Sequence, residues 1–258
     1  MSRVFVIPDI HLKPWMFTKA DDYISIGHFD AVVMLGDLVD DWGEEYNISL
    51  YNETFDAAIE FCRKYRGNLD VRYCIGNHDI SYIWQRLESG YSSMAYKTVN
   101  LRTLDFKEEL PMENRAFIHR FDNVLFSHAG LSEYFVLKNF ASMPRMSIDD
   151  MIAAINRMGP DELWRDESPL WVRPQGNVTR MYPRDMFQVV GHTPVKKAQL
   201  DGTVLTLDTF STMPNGTPIG DEKFVWIDTE KLEYHVILEK TLKEEVFVFK
   251  KDENKADE

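Results

Sequence analysis

Through the first two hundred residues the apolar positions gather into short unbroken runs, each halted by polar groups. RVFVIPD, DAVVMLGD, DVRYCIGNHD, NVLFSHAG and FQVVGHTP share this form. Each run has strand length and is rich in Val, Ile, Leu or Phe, which pack well on a pleated surface. Unbroken rather than alternating apolar character predicts strands covered on both faces. Between the runs the period changes. In NETFDAAIEFCRKY, the residues Phe55, Ala58, Ile59 and Cys62 fall on one helical face. SIDDMIAAINRMG opens on Ser147 as an N-cap and stops at Gly159 and Pro160. Strand, helix, strand alternation predicts an α/β protein. Beyond residue 200, TVLTLDT, KFVWIDT and EYHVILE follow one another with Gly, Pro and Asn between them. They predict a second, mostly antiparallel sheet. Residues 1–249 read as one domain, with 80–123 a candidate cap or insertion. Residues 250–258, KKDENKADE, are charged and lack apolar anchors, so they are expected to be disordered.

Composition narrows the class. A chain of 258 residues with 44% hydrophobic positions is long enough to bury a substantial core. The formal charge of -13 gives no basic groove for a nucleic-acid backbone. Carboxylates that hold metal ions also count as negative, so this charge does not argue against a metal site. Cys62 and Cys74 have no metal-type spacing and are expected to be reduced, buried thiols. No leader is expected, because Arg3 and Asp9 bracket an apolar run too short for one, and no stretch has membrane-spanning length. The expectation is a soluble, cytoplasmic protein with no membrane partner.

The chemistry lies where the runs stop. Asp9 and His11 follow the first, Asp37 and Asp40 the second, Asn77, His78 and Asp79 the third. His128 and His192 follow the fourth and fifth. In α/β sheets, ligands bind beyond the carboxyl ends of the strands. Carboxylate, imidazole and amide oxygen without thiolate suit a divalent ion such as Mn, Fe or Zn. Asp9 and His11, two positions apart, project to the same side in extended chain and can hold one metal. Asn77, His128 and His192 can hold another, and Asp37 can bridge the two. Two such ions activate a hydroxide and clamp the oxygens of a displacement at phosphorus.

DIH, GDLVD, GNHD, SHAG and GHTP, in this order from residue 9 to 192, resemble the calcineurin-like metallophosphoesterase superfamily. The resemblance implies a two-sheet β-sandwich flanked by helices. It implies Asp9, His11 and Asp37 on one metal, and Asp37, Asn77, His128 and His192 on the other, with Mn the first choice of ion. It also implies His78 as the acid for the leaving oxygen and Asp40 as its carboxylate partner. Nuclease and cyclic-nucleotide members carry G-H-x-H, whereas here Thr193 and Pro194 follow His192. The single His is similar to the phosphoprotein phosphatase branch and its bacterial dinucleotide tetraphosphatase relatives. That branch reads G-D-x-V-D-R-G, with an Arg for the phosphate; this chain has Asp41 and Trp42 instead. Arg173, in LWVR, is the candidate replacement.

Plainer roles stand beside these. Asp79 reads as a cap of the following helix, and Asp40 alone would read as a loop cap. Arg173 would otherwise be a surface ion pair. His28, His119 and His235 have no slot in the pattern and read as structural. The expected protein is a metal-dependent phosphoesterase acting on a phosphomonoester or phosphoanhydride by direct attack of hydroxide held between two metals. A metal-dependent nuclease or phosphodiesterase, and a non-catalytic binding scaffold, are the alternatives. The substrate is a phosphorylated small molecule, nucleotide or phosphoprotein, and the specificity loops are expected in 80–123 and 131–187.

Overall fold

The structure, a computed structural model, describes residues 2–142, 146–175, 179–238 and 243–249. The tail read as disordered lies outside them. Helices cover a β-sandwich on both sides. The first sheet takes in β1 (Arg3–Ile7), β2 (Ala31–Met34), β3 (Asp70–Cys74) and the short β4 (Arg115–Ala116). The second begins with β5 (Ile118–Phe121), β6 (Val124–Ser127) and β7 (Phe187–Val190), and continues through β8 (Gln199–Asp201) and β9 (Val204–Thr206). β10 (Val225–Asp228), β11 (Glu233–Ile237) and β12 (Glu244–Val248) then return to the first sheet. Its order is β12-β11-β10-β1-β2-β3-β4, and that of the second is β5-β6-β7-β9-β8.

The expected α/β sandwich is present, but the strands after residue 200 are shared between the sheets. β9 extends the second sheet parallel to β7, while β10 pairs antiparallel with β1. The reason is burial. β1 is apolar on both faces, and a strand at its open side leaves no bare edge there. In β10, Val225 and Ile227 face the space between the sheets and Trp226 the opposite side, so it fits that position.

Alternate residues of β1 feed two cores. Val4 and Val6 meet Val33, Val189 and Leu205 between the sheets. Phe5 and Ile7 lie under α1 (Trp15–Ile24) and α2 (Ile48–Tyr65), against Met16, Phe55 and Ile59. Each such side chain contributes about 1.5–3 kcal/mol when fully buried. On the far side, α5 (Glu133–Phe140) and α6 (Ile148–Ile155) cover Leu125 with Phe135, Ile152 and Ile155. α3 (Asn77–Trp84) leads into the site, and α4 (Tyr96–Glu109) packs on α2. The short α7 (Pro160–Leu163) completes the helices among the described residues.

Helix ends follow local chemistry. α2 starts earlier than its apolar face predicts, because Asn47 accepts the Leu50 N–H as an N-cap. Ser147 caps α6 as expected by accepting from Asp150 N. That helix stops before Gly159, since the Asn156 side chain turns to accept Phe117 N–H and Ile118 N–H, both at 3.0 Å. Gly159 and Pro160 begin α7 instead. Cys62 and Cys74 are buried and unpaired, and burial pushes the Cys62 thiol up to about 12.

His119 ties the two sheets together. Its Nε2–H donates to Tyr73 O at 3.0 Å, joining β5 to β3, and the ring is buried. Burial brings its pKa down to about 4. An unfolded His titrates near 6.5, so below that pH the unfolded chain takes up a proton that the folded chain refuses. The neutral ring's contribution is complete above pH 6.5 and is lost as pH falls to 4, by about 3 kcal/mol. His119→Gln keeps a donor but cannot titrate. Urea midpoints followed from pH 7 to pH 4 should fall less steeply in this variant, and parallel curves would remove His119 from the acid sensitivity.

Candidate metal centre

β1, β2 and β3 run parallel, as do β6, β7 and β9 in the other sheet. Their carboxyl ends meet at one end of the sandwich, where the strand-end residues collect. Asp9, Asp37, Asn77, His128 and His192 are all buried there, and His11 is partly buried. The expected projection of Asp9 and His11 from an extended strand is not how they are presented. β1 ends at Ile7, and His11 has φ 42°. Ile10 N–H and His11 N–H instead donate to Asp37 O at 3.1 and 2.7 Å, which folds the first loop onto the second.

Asp37, Asp40 and His192 also have left-handed backbone, at φ 48°, 65° and 63°. Non-glycine residues in this region are strained, and such strain persists where surrounding contacts over-determine it. Asp79 supplies many of those contacts. Its Oδ2 accepts Asp37 N–H and Gly76 N–H at 2.9 Å and the Tyr73 hydroxyl at 2.6 Å. Its Oδ1 accepts Leu38 N–H at 2.8 Å. The expected helix cap is therefore also the anchor of the Asp37 loop. Two glycines permit the close approach. A Cβ on Gly76 would come within 2.1 Å of Asp37 Oδ1, and one on Gly191 within 1.9 Å of Asp9 Oδ2.

At the centre, unshared electron pairs face one another. His128 Nδ1–H donates to Leu35 O at 2.9 Å, so Nε2 carries the lone pair whenever the ring is neutral. Burial favours that form, Asp37 and Asp9 bring its pKa up to about 9, and a cation at Nε2 would displace the proton. That atom lies 3.2 Å from Asp37 Oδ2, 2.8 Å from Asn77 Oδ1 and 3.1 Å from His192 Nδ1. Asn77 presents its oxygen because its Nδ2 donates to Glu88 at 2.5 Å. His11 repeats the arrangement. Its Nδ1–H donates to Asp40 O at 2.8 Å, and its Nε2 faces Asp37 Oδ2 at 3.7 Å. Asp37, His128 and His192 form one cluster of metal-ligating geometry, and His11, Asp37 and His78 another.

A cation fits this set. Asp9 Oδ2 and Asp208 Oδ2 are buried without hydrogen-bond partners. Burial, then the neighbouring Asp208, raises the Asp9 carboxyl well above its ordinary value despite His128 nearby. Buried, unshielded carboxylates and inward-facing lone pairs are costly until a positive charge lies among them. Burial and the His128 charge hold His192 well below its usual value, so the ring is neutral and able to ligate. For Asp37, burial raises the carboxyl but the His128 and His78 charges outweigh it and keep it ionised.

His78 and Asp40 stand at the rim. His78 Nδ1–H donates to Asp40 Oδ2 at 3.0 Å, and Asp40 Oδ1 accepts from Tyr51 at 2.7 Å and Tyr82 at 2.5 Å. Burial opposes the His78 charge, but Asp37, Asp40 and Glu88 bring its pKa up to about 10. Arg173 lines the same cleft, donating to His192 O at 3.3 Å and Thr193 Oγ1 at 2.9 Å. Both of these partners are uncharged acceptors. His28 is exposed, and His235 stacks on Trp226 with Glu244 beside it, both away from the centre.

The chain matches the calcineurin-like phosphoesterase family, Metallophos, over residues 2–226. It belongs to that family. It is a metal-dependent hydrolase acting on phosphoric esters. Among solved structures, the phosphoesterase is similar to a protein serine/threonine phosphatase from Saccharomyces cerevisiae with similarity to human phosphatase PP5. The identity is 15%, covering 98% of this chain and 82% of that one, at a TM-score of 0.52. It is also similar to Yfce, a phosphoesterase from E. coli, at 12% identity, 96% and 100% coverage and a TM-score of 0.47. No curated protein matches it by sequence. No helix among the phosphoesterase's described residues is long and apolar enough to cross a membrane.

The sequence reading missed two site residues. Asp208 ends the run TVLTLD in the same way Asp9 ends the first, and that form was a usable signal. Glu88 had none, since it lies in a loop with no period. It orients Asn77 and lies 3.5 Å from His78 Nδ1.

Proposed function

We propose that the phosphoesterase hydrolyses a phosphomonoester or phosphoanhydride at a centre for two divalent cations. Asp9, His11 and Asp37 would hold one, and Asp37, Asn77, His128 and His192 the other. The convergence of His128 Nε2, Asn77 Oδ1, His192 Nδ1 and Asp37 Oδ2 around one point carries this reading. Oxygen and nitrogen donors without thiolate suit Mn, Fe or Zn. When bound, such ions supply Lewis acidity toward phosphate oxygens and make water more acidic.

The remaining work falls to the chain. Asp40, which accepts from two tyrosine hydroxyls, orients His78 through Nδ1 and supports its charge. This leaves His78 Nε2 as the proton donor to the departing oxygen, with the Asp40 carboxylate supporting the charged ring. Arg173 offers a guanidinium to phosphate oxygens from the His192 side of the cleft. His192 O and Thr193 hold that side chain at the cleft.

The test is a panel of phosphorylated compounds incubated with metal-stripped protein and then with Mn, Zn or Fe. Hydrolysis of phosphate esters that depends on added metal, with two ions bound per chain, is expected. Metal-free protein with full activity, or one ion at saturation, would sink the two-ion reading.

A further inference from the structure

The cleft beside the candidate centre encloses about 340 Å³, which is room for a phosphate and one ring system. Its composition is uneven. Asp40, Asp41, Glu88 and Asp208 line it, and Arg173 is the one Arg or Lys among the described lining residues. Part of the remaining wall is apolar, built from Trp42, Trp171, Met213, Pro214 and Ile219. Trp42 and Met213 are each half exposed at its mouth. An indole left to solvent at the edge of a site is an open stacking face, not a packed core residue.

The position of Trp42 is held from below. Asp41 accepts from Lys13 at 2.7 Å and from Thr212 Oγ1 at 3.0 Å, and its other contact is Trp42 N–H at 2.9 Å. The Thr212 bond links the 41–42 loop to the 212–214 loop beside the cleft. Asp41 also occupies Lys13, whose ammonium is buried against it and so is not free for a second phosphate. Asp41 and Trp42 thus place a paired carboxylate and a half-exposed indole where a cationic grip was expected.

Resting on the phosphoesterase reading above, we propose that the substrate is a phosphate monoester whose leaving group is a flat, uncharged ring system. Trp42 is its stacking platform, with Met213 and Pro214 completing the slot. A polyphosphate is disfavoured, because beyond the reach of Arg173 and His78 its further negative charges would meet acidic and apolar walls. Nucleosides and aryl alcohols share the required chemistry, so the experiment separates them.

Adenosine 5′-monophosphate and ribose 5-phosphate lose the same primary alkoxide and differ by the base alone. The wild-type enzyme, loaded with Mn, is expected to favour the nucleotide in kcat/KM by about tenfold or more, as expected for one stacked base. Trp42→Ala should bring the two substrates to within about twofold, chiefly by raising KM for the nucleotide. Trp42→Phe should restore the preference. A naphthyl phosphate arm identifies the source: loss of its KM advantage in Trp42→Ala, without a nucleotide preference in wild type, assigns the slot to aryl esters. Equal kcat/KM for all three in wild type, or a Trp42→Ala variant unchanged on each, overturns the slot while the phosphoesterase reading stands. No hydrolysis of any ester with metal overturns both.

Discussion

Asp37→Asn is expected to abolish metal-stimulated phosphate ester hydrolysis, by about 10³-fold or more. The substitution keeps the shape and an acceptor for His78 N–H, which now donates to Asp37 Oδ1 at 3.0 Å. It removes the charge that faces both His11 Nε2 and His128 Nε2. A neutral amide cannot neutralise part of two cations, and it leaves those imidazoles without their shared anionic neighbour. Metal analysis after dialysis should show fewer than two ions per chain, with circular dichroism unchanged. A variant that keeps wild-type activity and two tightly bound ions would end the bridging assignment.

His78→Ala is expected to lower turnover by about 10²–10⁴-fold while leaving metal content as in wild type. The loss should grow with the pKa of the leaving alcohol, since a good leaving group departs without a proton. The structural reason is the Nδ1–H bond to Asp40, which directs the other nitrogen away from the tyrosines. Asp40→Asn should show the same leaving-group trend with a smaller loss, because the imidazole remains. His78 also lies in a cluster with His11 and Asp37. Loss of metal from His78→Ala would therefore make it a ligand or a brace of the centre, not the proton donor.

Asp9, Asp37, Asn77, His128 and His192 were legible because each ends an apolar run, and an unpaired polar group at a buried strand end is expensive without a ligand. The fold class was legible for a related reason: unbroken runs need cover on both faces. Glu88 was not legible, since its role depends on a loop folding back onto Asn77. The role of Asp79 was read too narrowly, because its bonds to Asp37 N and Leu38 N join loops 41 and 42 positions apart.

The amino-acid order by itself determined the two kinds of element, the strand ends that carry the candidate ligands and the departure at Asp41 and Trp42. Those follow from local period and residue chemistry, which are properties of neighbouring positions. The tertiary structure alone decided which sheet each late strand joins. It also decided how the left-handed turns at His11, Asp37 and His192 aim their side chains, and how Asp41 braces Trp42 over the cleft. Those outcomes depend on contacts between distant segments, where burial and hydrogen-bond satisfaction select among arrangements that the local pattern permits equally.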